Sequence, residues 1–525
     1  MRITFLLSFV ILLTACSSSS ILIYENNKGS ALNEELFRPQ YHFTPAENWM
    51  NDPNGMVYYA GEYHLFYQYH PHSTVWGPMH WGHAVSTDML NWQHLPIALY
   101  PDEHGAIFSG SVVIDSHNTS GLGSAENPAM VALFTYHNEE MKKAGALDYQ
   151  TQGLAYSLDK GRSWIKYKNN PVMENPDLID FRDPKVSWYA PQEKWLMVVT
   201  QGDNIGFYSS KNLLDWQFES TFGNGLGEHG GVWECPDLIP MKIAGTDQSK
   251  YVLLVSIVPG APNGGSGTQY FVGDFDGKDF VVDPQFAQQL QEHNALWLDY
   301  GTDNYAGVTF AGVPESDGRT LFMGWMNNWL YATKVPTQKW RGSMTIPRTL
   351  SLQEVDEGLK LISRPVKELK SISNQPADFL NIRVNKDVEF STLFGPISGA
   401  NRLSMIVTKQ GANSLELTYS NHNQQQLVIS LDVTSGAVSI DRSRSGATDF
   451  AEHFSKPQVG KVRANLDSYT FDVFYDMASI EIFINDGELS MTALTFPTSP
   501  YNKIQLKASH EVLLNKVTMV QLTNE

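Results

Sequence analysis

Three stretches in the first half of the chain share one pattern, a serine, then an acid or amide, then a tryptophan: STDMLNWQHL at 86–95, SLDKGRSWIKY at 157–167 and SSKNLLDWQFES at 209–220. A turn-and-tryptophan cassette that recurs in this way marks a repeat architecture, in which each copy is a small unit stacked on its neighbours. Around the cassettes recurs a second element, a polar turn followed by a strongly apolar strand: GEYHLFYQY, AMVALFTYH, EKWLMVVTQ, SKYVLLVSI and GRTLFMGWM. No long stretch carries apolar residues at helical spacing, whereas short runs rich in Val, Ile, Tyr, Phe and Trp, bounded by Gly, Asn, Asp and Pro, fill the chain. An all-β protein is expected. Five units between about Tyr41 and Leu350, each with an inner strand, a buried strand and an outer hairpin, predict a β-propeller. Period-two strands occur in sandwiches and barrels as well, so the pattern alone leaves those open.

The texture changes near Gln353. VKELKSI predicts a short linking segment, and longer two-faced strands follow, among them RLSMIVT, SLELTYS, QLVISLDV, YTFDVFYD and SIEIFIN, with a hairpin signal at Asp486-Gly487. About eight such strands with tight turns fit a β-sandwich. The expected order is a five-bladed propeller over 37–352, a linker over 353–372 and a sandwich over 373–525. At the other end, Arg2, an apolar run from Ile3 to Leu13 and Leu13-Thr14-Ala15-Cys16 resemble a bacterial lipoprotein signal covering 1–16, with Cys16 as the lipid-bearing residue. A plain secretory signal is the alternative. Residues 17–36 then form a polar tether, and Ser17, which is not the Asp of a retention signal, points to the outer membrane or cell surface.

The only other cysteine is Cys235, so stability must come from core burial. With 37 basic and 56 acidic residues the formal charge is −19, which opposes nucleic acid or an anionic polymer as partner and leaves neutral substrates open. Thirteen Trp, 23 Tyr and 26 Phe suit sugar stacking and sheet cores equally.

Three carboxylates stand beside prolines where strands begin: Asp52 in WMNDPNG, Asp183 in FRDP and Glu234 in WECPD. Each alone reads as a turn or capping residue. Aligned on the repeat, all three project into one end of a central funnel, where mutual repulsion and desolvation raise at least one pKa and prepare acid/base chemistry. Paired carboxylates, many aromatics and a neutral substrate point to glycoside hydrolysis. Glu234 is the better acid, with Trp233 as an apolar wall beside it. Asp52 is the better nucleophile, its charge supported by backbone amides of the turn.

These motifs, with RPQYHFTPAENWMNDPNGMVYY, YHLFYQYHP, WGPMHWGHAVS, IFSGS, GGSGTQYFVGDFDG, MNNW and IEIFINDGE, resemble glycoside hydrolase family 32 over nearly the whole chain after Phe37, and most of all bacterial levanases. The resemblance implies a five-bladed propeller followed by a sandwich, retention of configuration, no metal or organic cofactor, and a fructan or sucrose substrate. It further implies Asp52 as the nucleophile that forms a covalent fructosyl enzyme, Glu234 as general acid/base and Asp183 as transition-state stabiliser. A retaining pair of carboxyl groups stands roughly 5 to 5.5 Å apart. Asn51, Gln68, Trp76, Phe108, Ser109 and Arg182 match substrate-binding positions, and Asp303 and Trp325 lie in segments that resemble the fifth blade's contribution, although Trp325 reads equally as core. Arg182 is also expected to offset repulsion among the acids.

A fructosyltransferase would use the same intermediate, and a non-catalytic fructan-binding propeller is the third possibility, disfavoured by the three acids. His70, His72, His80 and His83 match no familiar zinc spacing. GGSGTQYF at 264–271 is expected to be a flexible loop near the pocket mouth.

Overall fold

The computed structural model describes residues 35–523. The expected lipoprotein signal, Cys16 and most of the tether lie outside the described residues.

Five sheets follow one another along residues 48–365, and two six-stranded sheets follow between 377 and 521. The first strands of the five are Asn48–Tyr59, Ala106–Ile114, Phe181–Tyr189, Val232–Lys242 and Tyr305–Thr309. Each touches the first strand of the next sheet, and the fifth touches the first, so these strands form a closed ring. The apolar runs of the sequence are the second strands, buried between sheets where period-two alternation gives way to continuous Val, Leu, Phe and Met.

The tryptophan cassettes form the turn between third and fourth strands of the first three sheets, with one set of bonds repeated. Ser86, Ser157 and Ser210 donate to the side-chain oxygens of Asp88, Asp159 and Asn212. The indole N–H groups of Trp92, Trp164 and Trp216 donate to the carbonyls of Met89, Gly161 and Leu213, each three residues back. The cassette is a local Asx-type turn, which is why it is visible in sequence.

Asn-Asp-Pro-Asn-Gly looks like a surface turn but lies inside the first strand, and its turn chemistry appears as a bulge. Between Met50 and Pro53 two residues of the first strand, Asn51 and Asp52, face one of the second, and the same surplus recurs at Ile107/Gly110, Arg182/Lys185, Glu234/Asp237 and Tyr305/Val308. A bulge bends its strand and re-aims the side chains beside it. Positive φ at Asp183 (64°), Cys235 (47°) and Ala306 (52°) belongs to these bulges.

The fifth sheet continues through the hairpin Arg348–Val355 and Gly358–Pro365. The linker expected at 353–372 therefore starts too early: Asp356-Glu357 is a hairpin turn, and the connection begins at Val366 with the single helical turn Lys367–Lys370. The last two sheets enclose one core that includes Leu403, Leu417, Ile429, Tyr469 and Ile504. They meet the ring through buried ion pairs. Arg348 donates to Asp299 at 2.8 Å and also pairs with Glu481, and His42 lies 2.7 Å from Asp476 and 2.9 Å from Glu481.

Candidate active site

The bulges aim their side chains into a pocket of about 240 Å³ at one end of the ring, lined by residues that include Asn51, Asp52, Gln68, Trp76, Phe108, Ser109, Arg182, Asp183 and Glu234. Asp52 accepts hydrogen bonds from Ser109 Oγ at 2.8 Å and from Asn51 Nδ2 at 3.0 Å. These two side chains are its main support, and its own backbone N–H adds to them as expected of a turn. Burial pushes its carboxyl up to about 6, with Glu234 adding repulsion and the two hydrogen bonds opposing the rise. Asn51 is itself aimed by Trp49, whose indole N–H donates to Asn51 Oδ1 at 2.7 Å.

Asp183 accepts from the Cys235 backbone N–H at 3.1 Å. Burial raises its pKa, Arg182 opposes the rise, and Glu234 and Asp52 add to it. The Cys235 sulfur lies 3.7 Å from both Asp52 Oδ2 and Asp183 Oδ2. Burial beside those carboxylates keeps it a neutral thiol. Glu234 is held from two sides: Arg182 Nη2 donates to Oε1 at 2.9 Å, and the Tyr305 hydroxyl donates to Oε2. Arg182 also pairs with Asp180 and lies 3.9 Å from Asp183. The guanidinium thus faces two of the three acids directly, and it stays charged.

Five expectations change. Trp233 is not a wall beside Glu234: alternation along the strand turns it into the core between sheets, where it stacks with His229 and meets Phe271. The three acids are not at equivalent positions. Asp52 is the second residue of its bulge, Asp183 the first of its own, and Glu234 the residue just before one; aligning on prolines hid this offset. Asp303 lies away from the pocket, fully buried, accepting from Arg442 Nη1 at 2.6 Å and from the Tyr331 hydroxyl at 2.7 Å where the ring meets the C-terminal sheets. Trp325 is core, packed against Trp49 and Trp329, and Trp329 takes the place at the pocket. GGSGTQYF is not a loose mouth loop but a buttress: Ser266 Oγ accepts from the Trp329 backbone N–H at 3.0 Å, and the strand Gly267–Phe275 begins within it.

Tyr305, Trp329, His137, Gln150, Lys142 and Asp180 complete the site and were not singled out in sequence. Only Trp329 carried a signal, as the tryptophan of MNNW. The four histidines do not form one cluster: His72 meets His70 and His80 edge-on at 6.3 and 6.5 Å, with His70 and His80 bonding nearby carbonyls, while His83 lies 3.1 Å from His64 and stacks on Phe66. Among the described residues no group of three or more His, Cys, Asp or Glu is arranged to hold a metal ion.

The pattern of the N-terminal domain of glycosyl hydrolases family 32 matches residues 42–365, and that of the family's C-terminal domain matches 366–523. The chain belongs to glycoside hydrolase family 32. It is 43% identical over 516 residues to a levanase of Bacillus subtilis, an alignment covering 96% of this chain and 72% of that one. It is 35% identical to an extracellular exo-inulinase of Aspergillus awamori, with 89% and 90% of the two chains covered. The solved β-fructofuranosidase of Schwanniomyces occidentalis complexed with fructosyl-erythritol superposes with a TM-score of 0.84 at 32% identity, over 94% of this chain and 99% of that one. Membership of this family makes the chain a glycosidase, and its pocket is built for that chemistry: buried carboxylates, a cation that tempers their repulsion, and aromatic walls at Trp76, Phe108 and Trp329.

Proposed function

We propose that this protein is an exo-acting β-fructosidase that releases terminal fructose, with retention, from β-2,6-linked fructan, and that also accepts inulin and sucrose. The observation that carries this is the joining of Asp52, Asp183 and Glu234 in one pocket, Asp52 to Asp183 through Cys235 and Asp183 to Glu234 through Arg182. The levanase and exo-inulinase relatives support the substrate class. A cavity of about 240 Å³ is monosaccharide-sized, which favours removal of one chain end at a time.

In this reading ionised Asp52 attacks the anomeric carbon of the terminal fructose as the bond to the leaving oxygen breaks, and Glu234 gives its proton to that oxygen. Glu234 then takes a proton from water, the resulting hydroxide attacks the same carbon, and the Asp52 carboxylate departs. Asp183 accepts hydrogen bonds from fructose hydroxyls and stabilises positive charge on the flattening ring. Asn51, Gln68, Trp76, Phe108, Ser109 and Arg182 orient the sugar. The five consecutive sheets with their closed ring of first strands support a five-bladed propeller, and the two facing six-stranded sheets support a β-sandwich. The Leu-Thr-Ala-Cys sequence ending at Cys16 supports export and lipid anchoring.

A time course of the mature protein on levan, inulin and sucrose tests the reading, with products separated by chromatography. Free fructose from the first minutes is expected, and a ladder of oligosaccharides would replace exo action with internal cleavage. Asp52→Ala and Glu234→Ala are expected to lower kcat by at least about 10³-fold with the fold intact; near-wild-type turnover by either removes the assignment.

A further inference from the structure

One wall of the pocket holds a polar relay that the reaction above leaves unused. His137 ends the strand Met130–His137, Gln150 begins the strand Gln150–Ser157, and the two residues pair directly across the second sheet. Between them the chain loops out through the short helix Glu139–Lys143. Nε2 of His137 lies 3.1 Å from Oε2 of Glu139, and Nδ1 lies 3.1 Å from Nε2 of Gln150.

An ionised carboxylate only accepts, so Nε2 of the imidazole carries the proton and Nδ1 accepts from the Gln150 amide. Burial holds His137 below its ordinary value, in keeping with a neutral ring. This order of donors fixes the far end of the relay, and Gln150 must present its carbonyl oxygen away from His137. That oxygen is buried and has no hydrogen-bond partner among the described residues, although Gln150 is only 1% exposed. Buried acceptors left unmatched are rare in folded proteins. Both His137 and Gln150 line the pocket, so the vacant acceptor belongs to a wall that substrate meets.

The position of that wall identifies which part of the substrate it meets. Tyr149, one residue before Gln150, donates from its hydroxyl to Asp180, and Gln152, two residues after, donates to the Phe181 carbonyl. Gln150 therefore stands level with Asp180 and Arg182, on the side where Arg182 holds Glu234. The leaving sugar departs on the acid's side. We infer that Gln150, oriented by His137 and Glu139, accepts a hydroxyl of the sugar unit on the leaving side of the scissile bond and thereby favours carbohydrate leaving groups. The inference rests on the fructosidase reading and adds to it a residue that selects the leaving group.

The test compares sucrose and a short fructan with 4-nitrophenyl β-fructofuranoside, whose leaving group offers no sugar hydroxyl. Gln150→Ala is expected to lower kcat/KM on the two sugars about tenfold, chiefly through KM, with a loss about fivefold smaller on the aryl fructoside. His137→Phe keeps a ring for Phe108, which stacks on His137 at 4.2 Å, but removes the acceptor nitrogen. It is expected to give the same selective loss, with little further loss in the double variant. Equal losses on sugar and aryl substrates, or no loss on either, overturn the inference. Should Gln150→Ala not fold, Gln150→Met keeps the side chain's length without an acceptor and is read by the same ratio. Wild-type protein that cleaves none of the three substrates would instead overturn the fructosidase reading.

Discussion

Asp52 is ionised against the preference of its surroundings. Burial and the charge of Glu234 hold its carboxyl at about 6, while Ser109 and Asn51 pull it down. In the proposed reaction the attacking form is the carboxylate, so kcat/KM is expected to fall as pH drops through about 6, and Ser109→Ala to move that acid limb upward; a limb unmoved by the change would detach Ser109 from the proposed nucleophile. The same shift has a stability consequence with a definite sign. The folded value lies above the ordinary 3.8, so the fold binds this proton more tightly than the unfolded chain does, and stability falls as pH rises from about 4 to about 6. Asp52→Asn is thus expected to lose activity while melting at a higher temperature than wild type at pH 7, measured by calorimetry. Residues of this kind were legible in sequence because each acid sits in a short motif with its own proline. Tyr305 and Gln150 were not, because what gives them meaning is a partner some 70 residues away or an oxygen without one.

At the scale of the strand, one device recurs five times, a surplus residue in each first strand. It resolves the contradiction of turn-forming residues within a buried strand: Asn, Gly and Pro are there to bend it. Gly55, in a second surplus of the first strand between Asn54 and Val57, shows how tight the fit is, with φ at +51° and a hypothetical Cβ only 2.7 Å from Phe66 Cδ2 and 2.8 Å from Val112 Cγ2. Gly55→Ala is expected to cost about 1–3 kcal/mol, read as a lower urea midpoint with unchanged slope. An unchanged midpoint would show that the bulge has slack. The sheets themselves were readable from the cassettes, whose bonds are local. The exact offset of the three acids was not, because register depends on which residue the neighbouring strand leaves unpaired.

Across the molecule, the ring and the two C-terminal sheets are joined by buried charge. Arg348 sits between Asp299 and Glu481, Arg442 pairs with Asp303, and His42 lies between Asp476 and Glu481. Removing one partner strands the others, so Arg348→Met is expected to destabilise by about 3–5 kcal/mol. The two acids and their hydrogen bonds overcome the desolvation of His42 and raise it from 6.5 to about 9. The sign is opposite to that of Asp52: the stabilisation is fully present below pH 6.5 and is lost as pH rises through about 9. Urea midpoints at pH 7 and pH 10 are expected to differ more in wild type than in His42→Gln. Asp303 was misassigned from sequence for the same reason that these pairs are invisible there, since its cation lies 139 residues further along.

The junction also fixes an order in time. Gln40 and Tyr41 donate their backbone N–H groups to Asp476, and the strand Asn48–Tyr59 has Trp340–Arg341 as its parallel neighbour. As the chain is made, Gln40 and Tyr41 and the outer side of the strand Asn48–Tyr59 lack these partners until the residues near 340 and 476 have followed them. Completion of the first sheet thus waits on the late part of the chain, and the pocket cannot mature while most of the protein is still being made or moved.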